Sequence, residues 1–162
     1  MSASYQAVKS LSWHVRALHS EDLPQVLEIE RQGYSFPWTE AVFHDCFRPN
    51  YRLWGVEISG RVVGFAVIAY LVDEAHLLNI CVSTQQRRSG LARHLLRHLV
   101  VEAARDGMTR VLLEVRVSNQ SATDLYLAEG FVEIGRRPGY YPSSTGPEDA
   151  RVLSLTMTGV VD

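Results

Sequence analysis

AHLLNICVSTQQRRSGLARHLLRHLVVEAARDGMTRVLLEV, residues Ala75 to Val115, reads as strand, polar break, helix, strand. Ala75 to Val82 is an apolar run short enough for a buried strand. Ser83 to Ser89 is polar and ends at Gly90. From there Leu91, Leu95, Leu96, Leu99, Val100 and Ala103 recur on one helical face, and Gly107 supplies a stop. Arg110 to Val115 is again a short strand. Two strands joined by a helix pair in parallel. Upstream, His14 to Leu18 reads as a strand, and Ser20 before Glu21 and Asp22 as the cap of a helix carrying Leu23, Val26, Leu27 and Glu30 at helical spacing. After Phe36-Pro37-Trp38, Thr39 caps a second helix to about Phe47. Tyr51 to Ile58 and Arg61 to Tyr70 form a hairpin through Ser59-Gly60. Downstream, Asn119 caps a helix through Glu129 that Gly130 ends. Phe131 to Arg137 and Arg151 to Thr156 are strands flanking a Pro/Gly/Ser-rich loop that contains Tyr140-Tyr141-Pro142. The pattern predicts an α/β domain with a mixed sheet of about six to seven strands and about four helices, not a doubly wound one.

A chain of 162 residues has room for one core, so one domain is expected over residues 13–162, behind a flexible tail over 1–12. Hydrophobic residues at 46% and charged residues at 21% exclude a disordered chain. A net charge of −2 gives no general attraction to nucleic acid. Cys46 and Cys81 are too few and too far apart for a disulfide framework or a CxxC metal site, and read as buried, reduced thiols. His76, His94 and His98 lack a third ligand at metal spacing, so no metal is expected; His94 and His98 read as a solvated helix flank. No apolar run reaches the roughly 20 residues of a membrane span, and no export signal precedes the domain. A cytoplasmic location is the expectation, without membrane or nucleic-acid partners, with the oligomeric state open and a monomer compatible.

The chemistry concentrates at Arg87-Arg88-Ser89-Gly90-Leu91-Ala92-Arg93, between a strand and a helix start. Helix N-terminal N–H groups point outward with partial positive charge and bind phosphate. Gly90 lets an anion approach the backbone, Ala92 keeps the first turn narrow, and three arginines add formal charge. Neither GxGxxG nor GxxxxGK[ST] occurs, so the phosphate ligand expected is one like coenzyme A, held without phosphoryl transfer. On these residues alone, a solvated arginine cluster is an equal reading.

Arg87-x-x-Gly90-x-Ala92 resembles the coenzyme A signature [RQ]-x-x-G-x-[GA] of the GCN5-related N-acetyltransferases, and Asn119 to Tyr126 followed by Gly130-Phe131 resembles a second block of that family. The likeness spans about His14 to Met157. Phe36-Pro37-Trp38, Asn79-Ile80, Leu113-Glu114-Val115-Arg116, Ser118-Asn119 and Tyr140-Tyr141-Pro142 are similar to the members that acetylate the N-terminal alanine of a small-subunit ribosomal protein. That resemblance implies acetyl-CoA as donor and a ribosomal protein N-terminus as acceptor, with Glu114 the general base and Tyr126 the general acid. It further implies that the backbone of Ile80, Cys81 and Val82 holds the pantetheine arm and thioester, Val82 N–H facing the oxyanion. Arg88 to Arg93 would hold the pyrophosphate, and Arg87 and Asn119 would touch the cofactor. Phe36, Trp38, Tyr140 and Tyr141 would line the acceptor site. The chain departs from close relatives in having Arg at 87 and Ala at 92, both inside the broader signature.

Read without the family, Glu114 is an acid in an apolar strand that faces solvent or pairs with Arg116 or Arg110. Tyr126 without it is a core aromatic, and the Tyr140-Tyr141 loop a packed turn. Two neighbouring functions stay open: acetylation of other protein N-termini or small-molecule amines, and non-catalytic acyl-CoA binding.

Overall fold

A computed structural model describes residues 12–157. The expected tail therefore lies, Ser12 aside, outside the described residues. Seven strands and four α-helices follow in the order β1 (His14–Ala17), α1 (Leu23–Gly33), α2 (Glu40–His44), β2 (Tyr51–Ile58), β3 (Arg61–Leu71), β4 (Glu74–Val82), α3 (Leu91–Arg105), β5 (Arg110–Arg116), α4 (Gln120–Ala128), β6 (Val132–Tyr141) and β7 (Glu148–Thr156). The sheet order is β1-β2-β3-β4-β5-β7-β6. β4 and β5 pair in parallel over Glu74–Leu77 and Arg110–Leu113, whereas β1–β2, β5–β7 and β6–β7 are antiparallel. The mixed sheet matches the sequence pattern.

Contacts gather in two compact units: one runs up to Val67 and resumes at Asn79–Leu99, the other joins Ile68–Leu78 to Val100 onward. In the first, α1 buries Leu23, Val26, Leu27 and Ile29 against Phe43, Leu53 and Phe65, with Phe43 edge-on to Phe65 at 5.5 Å. Ser59 and Gly60 both take positive φ (51° and 80°), as a tight two-residue hairpin turn requires. In the second, Val111, Leu113 and Val115 point to the buried face of β5, with Phe131, Ala150 and Leu153 also buried.

Four expectations need correction. Ser20 does not cap a helix: it opens a 3₁₀ turn, Ser20–Asp22, and α1 starts behind it with a proline in its first turn. The polar work falls to Asp22, whose carboxylate accepts the His19 N–H at 2.8 Å and two Arg16 guanidinium bonds at 2.8 and 3.0 Å. That guanidinium holds the Asp22 carboxyl below its ordinary value. The helix capped by Thr39, whose hydroxyl accepts from Val42 N–H, ends at His44 and not near Phe47. Tyr140 and Tyr141 lie at the end of β6, not in a loop. Pro138 suggests a break because it has no N–H, yet β6 is an edge strand whose pairing shifts register between Arg137 and Tyr141, so the proline sits inside the irregularity. His94 and His98 are more than a solvated flank, since Trp13 packs on His94 at 5.2 Å and Trp54 meets His98 edge-on at 4.6 Å.

Candidate active site

In the first unit, β4 leads through a 3₁₀ turn (Thr84–Gln86) to Arg87, Arg88, Ser89 and Gly90 at the mouth of α3. Arg88 and Gly90 both take the left-handed region, φ 60° and 86°, and Ser89 Oγ donates to Gln86 O at 2.5 Å. The helix ladder opens with His94 N–H on Gly90 O at 3.0 Å, so the N–H groups of Leu91 and Ala92 have no acceptor inside the helix. Within 4 Å, a Cβ at Gly90 would meet, among the described residues beyond its chain neighbours, only the Trp13 ring, at 3.9 Å. Two buried polar atoms here, Ser83 Oγ and Trp13 Nε1, find no hydrogen-bond partner among the described residues. A glycine mouth, open helix donors, arginine charge and orphaned polar atoms fit a diphosphate-bearing cofactor.

Just before that mouth lie Ile80, Cys81 and Val82. Cys81 is half-buried, not fully buried as expected; both cysteines are free thiols, and burial pushes Cys81 up to about 12. At neutral pH it is therefore a neutral thiol, not a nucleophile. Phe36 is 52% exposed, and Trp38 is half-buried against Phe43.

In the second unit, Glu114 shares its face of the sheet with Arg116 and, through the β5–β7–β6 register, with Arg137. Its carboxylate is neither idle nor paired with Arg110 or Arg116. Arg137 Nε lies 2.9 Å from Glu114 Oε1, while Arg110 pairs with Glu74 and Arg116 with Glu148. The neighbouring Glu114 carboxylate holds the Tyr140 phenol above its usual range. Arg137 also lies over the Tyr140 ring, 5.4 Å from its centroid. Arg116 braces the end of β6: it lies 4.5 Å from the Tyr141 ring centroid and donates to Pro142 O at 2.9 Å. Tyr126 is 6% exposed and edge-on to Phe131 at 5.6 Å. Asn119 caps α4, its Oδ1 accepting from Ala122 N–H at 3.1 Å, so a ligand would meet its amide nitrogen.

The structure thus brings Glu114, Tyr140 and Tyr141 into one cluster with Arg116 and Arg137. The sequence gives no sign of Arg137, because its partner lies 23 residues away across two strand pairings. Burial, followed by the Tyr141 neighbour, raises the Tyr126 phenol; burial and the Glu114 charge push Tyr141 up to about 12. Unfolded tyrosine titrates near 10. The folded state therefore holds these protons more tightly, and that stability is complete below pH 10 and lost as pH rises toward 12. Thermal melts from pH 9 to 12 should show a steep fall that Tyr141→Phe makes shallower. Equal slopes would contradict the assignment.

The acetyltransferase (GNAT) family model matches residues 14–131, nearly three quarters of the chain. The chain belongs to this acetyltransferase family. Its members use acetyl-CoA, which agrees with the donor expected at the α3 mouth. The [ribosomal protein bS18]-alanine N-acetyltransferase of Escherichia coli K12 is 37% identical over 144 residues, covering 89% of this chain and 97% of the relative. A putative enzyme of the same name from Bacillus subtilis is 32% identical, covering 88% and 95%. The crystal structure of the E. coli ribosomal-protein-S18-alanine N-acetyltransferase superposes with a TM-score of 0.86, covering 91% of this chain and 97% of that one. Among the described residues no helix is long and apolar enough to cross a membrane. Nor does any group of three His, Cys, Asp or Glu side chains there form a metal site.

Proposed function

We propose that the chain acetylates the N-terminal alanine of a small-subunit ribosomal protein, bS18 or its counterpart, by direct transfer from acetyl-CoA. Support comes from the relatives' activity at 37% identity over almost the whole chain, and above all from one carboxylate, Glu114, set among two tyrosines. Bound at the α3 mouth, acetyl-CoA supplies an activated acetyl group as a thioester. Glu114 takes a proton from the acceptor nitrogen as that nitrogen bonds the acetyl carbon. Tyr126 gives its hydroxyl proton to the sulfur as the C–S bond breaks. Burial keeps the Tyr126 phenol protonated, as an acid must be before its turn. Val82 N–H stabilises the oxyanion. Arg88, Gly90 and the first N–H groups of α3 hold the pyrophosphate, with Arg87 and Arg93 adding charge. Phe36, Trp38, Tyr140 and Tyr141 line the acceptor, and its amine takes over the place of Arg137 beside Glu114.

An N-terminal amine suits a base of this kind. With a pKa of about 7.7–8.0 it is roughly a fifth to a third neutral at pH 7.4, against about one part in a thousand for a lysine side chain. Mass spectrometry of peptides incubated with acetyl-CoA tests the proposal. A peptide beginning with alanine and the bS18 sequence should gain one acetyl group at its N-terminus. An unmodified peptide beside acetylated polyamines would move the acceptor to small amines. No acetylation of any amine, with coenzyme A bound, would make the chain a binding module.

A further inference from the structure

The mechanism leaves a deeply buried acid on α1 unused. Glu30, on the apolar face of α1, is 1% exposed and makes no ion pair among the described residues. Its Oε2 accepts the Trp38 backbone N–H at 2.8 Å, and its Oε1 accepts Asn79 Nδ2 at 3.0 Å. Both partners are donors, and a carboxyl group accepts at both oxygens; an amide would turn its NH₂ toward one. Burial raises Glu30 above its ordinary value and the two bonds oppose that rise. A buried carboxyl group without a cation is costly, and a purely packing role is better met by an apolar side chain of similar volume. What the carboxylate does that leucine cannot is join the segment after α1 to β4.

A second bond does the same. Tyr34 Oη donates to Ile80 O at 2.8 Å. Between them, Gly33 permits the close approach, since a Cβ there would lie 2.4 Å from Cys81 Sγ. The strap Tyr34–Trp38 is therefore tied to β4 near each end, at Tyr34 directly to Ile80 and at Trp38 through Glu30 to Asn79, and it presents exposed Phe36. We propose that Glu30 and Tyr34 are positioning residues that set the strap's height above β4 and so the size of the first acceptor residue admitted. This rests on the reading that β4 holds the thioester and the strap meets the acceptor.

Glu30→Gln and Tyr34→Phe in the full chain test it, with coenzyme A binding measured by calorimetry. Kinetics use peptides that differ only in starting with alanine or leucine. The expected result for Glu30→Gln is a coenzyme A Kd within twofold of wild type, an alanine-peptide KM raised five- to thirtyfold, and an alanine-to-leucine preference at least fivefold smaller. Tyr34→Phe keeps the ring and loses one hydroxyl, so it carries the test if Glu30→Gln fails to fold; its KM should rise at least threefold. Unchanged acceptor KM and preference in both variants would overturn the proposal, as would a parallel loss of coenzyme A affinity, which would mean β4 itself is disturbed. If the wild-type chain acetylates small amines but no peptide, the ribosomal reading fails separately, and amines of increasing bulk then read the strap.

Discussion

Glu114→Gln is expected to lower turnover by about 10²- to 10⁴-fold, the range for losing a positioned proton acceptor. Cofactor affinity should stay within about twofold, because Glu114 lies on β5 and the pyrophosphate donors lie at the mouth of α3. Glutamine has almost the shape of glutamate, so the tyrosines keep their place. What disappears is the ability to take a proton and the ion pair with Arg137. That pair costs little to lose, since the Arg137 side chain is 58% exposed and exposed pairs contribute roughly 0–1 kcal/mol. A melting temperature close to wild type with turnover down a hundredfold or more would assign the loss to chemistry. Turnover within threefold of wild type would remove Glu114 from the mechanism. Stopped reactions at saturating acetyl-CoA, followed by mass spectrometry, give the number directly.

Gly90→Val should act on the other half of the reaction. Gly90 sits at φ 86°, where a β-branched side chain is strained by about 1–3 kcal/mol. Space is not the obstacle, since among the described residues the nearest contact of an added Cβ is the Trp13 ring, 3.9 Å away. The backbone itself must rotate, and with it the Leu91 and Ala92 N–H groups that the diphosphate needs. An increase of about 10- to 100-fold in the acetyl-CoA Kd follows, on the order of 1.4–2.7 kcal/mol. At saturating cofactor, kcat should recover most of its wild-type value. Arg88→Gly is the informative companion: it relaxes a left-handed residue, φ 60°, while removing a charge, so any affinity it loses is electrostatic. Calorimetric titration checks both, and an unchanged Kd in Gly90→Val would separate the glycine from cofactor binding.

Much of this was legible in the chain. The parallel strands around α3 followed from the apolar period of Leu91 to Ala103, and the hairpin from Ser59-Gly60. Caps at Thr39 and Asn119 were found where short polar side chains preceded helical spacing. Glu30 gave a signal whose meaning was hidden: an acid at an apolar helical position, spaced with Leu23, Val26 and Leu27. Only the folded chain supplies its donors, one eight residues ahead and one forty-nine. Arg137 left no trace, because charge partners across a sheet depend on register and register depends on the whole sheet. Local chemistry erred where a competing local arrangement was available. The turn at Ser20–Asp22 handed the capping role from serine to aspartate, and Pro138 disguised a strand that tolerates it at an edge.

That outer ribbon has a wider effect. A border strand with one amide missing and its pleat bent between Arg137 and Tyr141 is a poor template for a neighbour's backbone. The same irregularity that leads into the paired tyrosines Tyr140 and Tyr141 thus discourages copies of the protein from zipping together rim to rim.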